Sequence, residues 1–333
     1  MERVPLSVLE LATVGAGSSP AQALQETTEL ARTVEALGFR RLWVAEHHGM
    51  AAVASSAPAV LIAHLAAATT TLRVGSGGVM LPNHVPLVIA EQFGTLEALH
   101  PGRIDLGIGR APGTDQLTAR ALRRSADVGA DSFPDDVVEL LGYFLGARDH
   151  PKAIPGEGYL PEVWLLGSSV FSASLAAMLG LSFAFAYHFS PQFLDPAVAR
   201  YRDTFQPSAF LDRPRLMVAA SVICAPGEQQ ARWIAGPSRL ATLRLRTNRA
   251  GPLPSPEEAA AYEFTPAEAE IADSMSSSHL VGDPAIVIAG LEQLQVRTGA
   301  DELMLSTRVF GADDRRRSFE LVAAAWNPVA PAA

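Results

Sequence analysis

Three short segments carry residue types that could do chemistry. Glu46-His47-His48 sets an acid beside two imidazoles. Imidazole and carboxylate suit zinc or iron, a histidine suits acid–base work or hydrogen-bond donation, and all three residues suit a capped strand end with packed rings. Adjacent strand residues face opposite sides, so only alternate members can act together, and no third ligand stands nearby in the chain. Gly75-Ser76-Gly77-Gly78 places three glycines among four residues. That pattern fits close approach by a flat ligand, or a plain turn, and Met80-Leu81-Pro82 beyond it offers an apolar wall. Gly167-Ser168-Ser169 precedes a helix-like run from Val170. Amides at a helix start plus two hydroxyls make an anion pocket for a phosphate, with Arg110 as countercharge; the bland alternative is a serine that only caps the helix.

Other chemistries are excluded by what the chain lacks. Of 26 basic residues only Lys152 is a lysine, and it lies in a loop-like stretch from Asp149 to Tyr159. Schiff-base chemistry and a P-loop both need a well-placed lysine. Cys224 is the sole cysteine, so no disulfide framework exists, and no neighbour activates its thiol. There is no Gly-x-Ser-x-Gly elbow. A net charge of −9 argues against nucleic acid, and the one arginine cluster, Arg315-Arg316-Arg317, sits beside Asp313 and Asp314. Met1-Glu2-Arg3-Val4-Pro5 has no signal-peptide pattern. The greasiest region, Ala51 to Leu72, is interrupted by Pro58 and His64 and is too mild for a membrane span. A soluble, cytoplasmic chain is expected, with no membrane and no nucleic-acid partner.

The elements that must position these residues alternate along the 333-residue chain. Strands are expected at Leu6–Ala12, Arg41–Ala45, Leu72–Gly78, Arg103–Gly109, Val163–Leu166, Ser182–Ala186, Leu216–Cys224 and Glu302–Ser306. Helical runs lie between them: Pro20 to Leu37, Pro58 to about Ala68, Pro86 to Leu99, Phe133 to Phe144, Val170 to Leu179, Pro191 to Phe205 and Pro284 to Val296. Serine-proline starts and glycine stops punctuate several of these. Eight βα units close into a (β/α)8 TIM barrel. An open doubly wound sheet would favour a Gly-x-Gly-x-x-Gly turn after the first strand, and Gly15-Ala16-Gly17-Ser18-Ser19-Pro20 is not one. Residues 225–281 are too long for one crossover and contain Pro252, Pro254, Pro256 and Pro266, so they are expected to form an insertion in the seventh βα unit that covers the barrel mouth. Residues 1–333 then form a single domain. Glu46, the Gly75–Gly78 run, Arg110, Gly167–Ser169, Ala186-Tyr187-His188 and Ser306-Thr307 all fall at the carboxyl ends of strands, where such barrels keep their working residues.

Leu42-Trp43-Val44-Ala45-Glu46-His47-His48, Val74 through Pro82 and His100 through Arg110 together resemble the bacterial luciferase-like flavin monooxygenases, as does Thr298 through Met304. The likeness runs through nearly the whole chain and is nearest to a bacterial branch with Arg110-Ala111-Pro112-Gly113-Thr114-Asp115 after strand four. It implies a TIM barrel that uses reduced FMN, supplied by a separate flavin reductase, to activate O2 and oxidise a small, apolar organic substrate. A deazaflavin-dependent dehydrogenase and a non-catalytic flavin-binding protein are the alternatives. The resemblance further implies a homodimer, catalytic roles for His47 and Glu46, and a non-proline cis peptide joining Gly77 to Gly78 behind the flavin ring. Gly167, Ser168, Ser169 and Arg110 would hold the phosphate, with Ala45 and Met80 completing the cofactor contacts, and no metal takes part. Gly109 stands where luciferase has a reactive cysteine, and Ser168 where it has a glutamate. Light emission and a long-chain aldehyde substrate are therefore not implied.

Overall fold

Serine, threonine or aspartate followed by proline sets four helix starts among the described residues. The Ser19 hydroxyl accepts from the Gln22 amide at 3.2 Å with Pro20 at the first helical position, opening α1 (Pro20–Ala36). Asp283 does the same for α10 (Pro284–Thr298), and Thr265 with Glu268 forms a capping box at α9 (Pro266–Asp273). The computed structural model describes residues 2–111, 118, 121–122, 132–147, 151–274 and 278–327. Pro112 to Asp115 of the strand-four motif lie outside them.

Eight parallel strands close into a barrel. β1 (Leu6–Glu10), β2 (Arg41–Val44), β3 (Arg73–Met80), β4 (Ile104–Gly109), β5 (Glu162–Gly167), β6 (Ser182–Ala186), β7 (Leu216–Cys224) and β9 (Glu302–Ser306) pair in that order, and β9 returns to β1 with Val8 opposite Leu305. Around them run α1, α2 (Pro58–Ala68), α3 (Pro86–Leu99), α4 (Phe133–Leu145), α5 (Val170–Met178), α6 (Leu194–Asp203), α10 and α11 (Ala312–Trp326). The TIM barrel expected from the alternation is the observed fold, and most element bounds agree within two residues. The seventh unit carries α7 (Glu228–Arg246), α8 (Pro256–Ala261) and α9, then a short ninth strand, β8 (Leu280–Gly282), which extends the end of β7 with Val222 opposite Leu280. Leu253 in this excursion bonds through its backbone to Val14 and Ala16, beyond the carboxyl end of β1. No helix among the described residues is long and apolar enough to cross a membrane.

The barrel interior is layered. At the amino ends of the strands Arg41, wholly buried, reaches Glu302 (2.7 Å), Asp105 (2.8 Å) and Glu162 (2.9 Å). Arg73 and Arg215 complete the network from the rim. Burial raises the Glu162 carboxyl, yet the charges of Arg41, Arg215 and Arg73 outweigh it and bring its pKa down to about 2. The indole nitrogens of Trp43 and Trp164 donate to Asp105 and Glu162, both at 2.8 Å, and the two rings meet edge to face at 5.6 Å. Above them Leu9, Met217, Ala219 and Met304 make an apolar layer. Strands β3 and β4 lie so close that a Cβ on Gly107 would collide with the Ser76 carbonyl oxygen, and one on Gly78 would stand 2.8 Å from the Gly107 carbonyl oxygen.

Candidate active site

Most of this apolar layer belongs to the floor of a cavity of about 210 Å³ at the carboxyl ends of the strands. Leu9, Trp43, Ala184, Ala219 and Met304 form that floor. Gly77, Gly78 and Met80 from β3 make one wall; Arg110, Gly167, Ser168, Ser169 and Ser172 make another, and Phe185, His188 and Phe189 lie at the end of β6. The Gly77–Gly78 peptide is cis, as the resemblance implies. Seven expected cofactor contacts, Gly77, Gly78, Met80, Arg110, Gly167, Ser168 and Ser169, thus border one space.

The serine pair is not a simple cap. Ser169 occupies the N-cap position of α5, but its hydroxyl accepts no bond from the helix. The first-turn amides of α5 have no intrahelical acceptors, so amides and hydroxyls are both available to an anion. The Arg110 guanidinium lies 4.5 Å from the centre of the Phe171 ring and has no carboxylate partner among the described residues. Arg110 therefore presents uncompensated charge at the cavity wall.

Glu46, His47 and Ala45 do not border the cavity. Glu46 is fully buried, and its carboxylate accepts from the Met80 amide (3.0 Å), Asn83 Nδ2 (3.2 Å), His84 Nε2 (2.9 Å) and His48 Nε2 (2.9 Å). Burial raises its pKa, but the bonds and charge from His84, with those of His48 and Met80, lower it overall. It ties the end of β2 to the end of β3 and the turn at Leu81–Asn83. His84, 38 positions along the chain from Glu46, is part of this tie. His47 is half-buried and donates its backbone N–H to the Ser55 carbonyl at 3.0 Å. Among the described residues no group of three or more histidine, cysteine or acidic side chains is arranged to hold a metal ion. Glu46→Gln, which keeps the shape and removes the charge, is expected to cost about 1–3 kcal/mol and to weaken whatever rests on the Met80 wall several-fold; thermal melts and binding titrations check both. Lost turnover with unchanged stability would instead make Glu46 a reacting group.

Three side chains singled out in the sequence lie outside the cavity's lining. Lys152 pairs with Glu157 at 3.3 Å on the surface. Cys224 is buried, and burial pushes its thiol up to about 11. Arg315 is buried and bonds Glu10 at 3.0 Å, whereas Arg316 pairs with Asp313 as the charge pattern suggests.

The luciferase-like monooxygenase family matches residues 4–302 of the chain. A luciferase-like monooxygenase of Escherichia coli (strain K12) is 48% identical over 321 residues, which is 96% of each chain. The crystal structure of apo-MsnO8 superposes with a TM-score of 0.91 at 38% identity, covering 97% of this chain and 98% of that one. The oxygenating constituent of 3,6-diketocamphane monooxygenase from Pseudomonas putida, solved in complex with FMN, shares the fold at a TM-score of 0.73 and 20% identity, with 98% of each chain covered. The closed barrel of eight parallel strands agrees with these matches, and the chain belongs to the luciferase-like monooxygenases.

Proposed function

We propose that the chain is an FMN-dependent monooxygenase that oxidises a small, largely apolar organic molecule. The observation that carries this reading is the cavity's division into an anion cradle at one side and a flat apolar slot at the other. Ser168, Ser169, the α5 amides and Arg110 suit a phosphate. The Gly77–Gly78 wall, with Met80, Leu9 and Trp43, suits one edge and face of a planar ring. Reduced FMN, when bound, supplies the electrons by which O2 delivers one oxygen atom to substrate and the other to water. The protein's part is to hold the phosphate, exclude water with Phe185, Phe189 and Met304, and present the substrate. His47, which follows β2 and lies outside the cavity's lining, enters this reading only through the family resemblance, as the residue that orients or protonates the reacting groups. With no dinucleotide fingerprint after β1, reduced FMN comes from a separate reductase; a homodimer, a single domain and a cytoplasmic setting complete the proposal.

Titrating the protein with FMN, riboflavin and a deazaflavin, followed by absorbance, tests the cofactor. FMN is expected to bind most tightly. Turnover with reduced FMN and ¹⁸O-labelled dioxygen over a panel of thioethers, ketones and aldehydes is expected to label one product class, and His47→Ala to lower that yield while leaving FMN affinity within about twofold. Preference for the deazaflavin with no oxygen consumed would replace this reading by a dehydrogenase.

A further inference from the structure

His188 is a buried cavity residue with no role in the account above. It follows β6, borders the cavity and is 9% exposed. Two contacts fix its ring: Nδ1 lies 2.9 Å from the Ala219 carbonyl oxygen, and the Phe189 ring centre is 4.2 Å away. The Ala219 carbonyl also takes the His188 backbone N–H at 3.2 Å. A carbonyl can only accept, so Nδ1 carries the proton and donates it. In the neutral ring the lone pair then sits on Nε2. Nε2 has no protein partner among the described residues, yet it is not one of the sealed, partnerless buried atoms. Nε2 thus keeps accessible surface on a residue that borders the cavity.

The ring stays neutral in ordinary conditions. Burial pushes its pKa down; the Ala219 bond opposes this, the charge of His279 works with burial, and the result is about 4. Around the rest of the cavity the polar groups are the Arg110 guanidinium and the hydroxyls of Ser168, Ser169 and Ser172. They gather at the cradle and favour an acceptor-rich ligand end. A neutral imidazole nitrogen offers the opposite polarity.

We propose that His188 Nε2 is the cavity's fixed hydrogen-bond acceptor, which takes one N–H or O–H of a molecule bound there: a ring N–H of the flavin, or a hydroxyl or amide N–H of the organic substrate. A ligand group that reaches Nε2 must bring its own proton, and an analogue that caps that proton with a methyl group is rejected. The flavin source rests on the reading above, whereas the acceptor itself does not.

Protein labelled with ¹⁵N in its histidine rings provides the test. One histidine is expected to show the Nδ1-protonated neutral pattern down to about pH 5, and this signal is absent from His188→Phe. FMN is added to one sample; phenol and its methyl ether, anisole, are added to the FMN-free and FMN-loaded proteins. Movement of the Nε2 resonance with FMN assigns the donor to the flavin ring. Movement with phenol but not anisole assigns it to substrate, with at least about a tenfold preference for phenol that His188→Phe loses. The proposal is overturned if no probe moves Nε2. It is equally overturned if wild type and a folded His188→Phe bind FMN alike and show the same phenol-to-anisole ratio. Failure of FMN to bind wild type removes the cofactor reading alone, since the phenol titration of FMN-free protein still decides His188.

Discussion

Arg41→Met is expected to cost about 3–5 kcal/mol, because it leaves Asp105, Glu302 and part of Glu162 as buried charges without their central cation. The melting temperature should fall on the order of 10 °C. Arg41→Lys, which keeps the charge but loses the planar fork that reaches three carboxylates, should fall between wild type and Met. The same network sets acid stability. Glu162 has a folded pKa of about 2 against an ordinary 4.5, so its contribution is fully present above the ordinary value. It is lost as pH falls from about 4.5 through about 2. Melts between those limits should show a steep decline in wild type and a shallower one in Arg41→Met. Equal slopes would mean that other carboxylates govern acid unfolding.

Arg110→Ala is expected to cut the preference for FMN over riboflavin sharply. Charge-assisted hydrogen bonds to a phosphate are worth about 1.5–3 kcal/mol, which is roughly 10–150-fold in affinity. Riboflavin, which has no phosphate, should bind the variant as it binds wild type. The wild-type preference should also shrink with added salt, because the guanidinium is half exposed over Phe171. Equal losses for FMN and riboflavin would show that Arg110 works by packing on that ring and not by holding the phosphate.

Where the sequence was legible, the signals were strong and local. Val170 begins a helix after two serines, Pro86 opens another, and Leu216 to Cys224, apolar but for Ser221, forms a strand in a parallel barrel. β8 has three residues and no periodicity to detect. The basal network was hidden for a different reason. Arg41, Arg73, Asp105, Glu162 and Glu302 each stand at or near a strand start, where a polar residue looks like an exposed end, and only closure of the barrel turns them toward one another. His84 gained its role from Glu46, 38 positions away. His188 has no acid or metal ligand beside it in the chain; its partner is a backbone carbonyl of the next strand, and every residue offers one of those. Sequence motifs expose side chains that need particular neighbours in order, and they miss side chains whose partners are supplied by topology.

The contact between β3 and β4 bears on how this protein can change over generations. Gly78 and Gly107 face each other's strand with no room for a methyl group, so the wall beneath the reaction space has almost no tolerated neighbours in sequence space. Variation in what the protein accepts must therefore accumulate elsewhere, in side chains such as Phe185, Phe189 and Met304 and in the 225–281 excursion. A library built on those positions should yield folded, altered variants, while one built on the glycines should yield mostly insoluble chains.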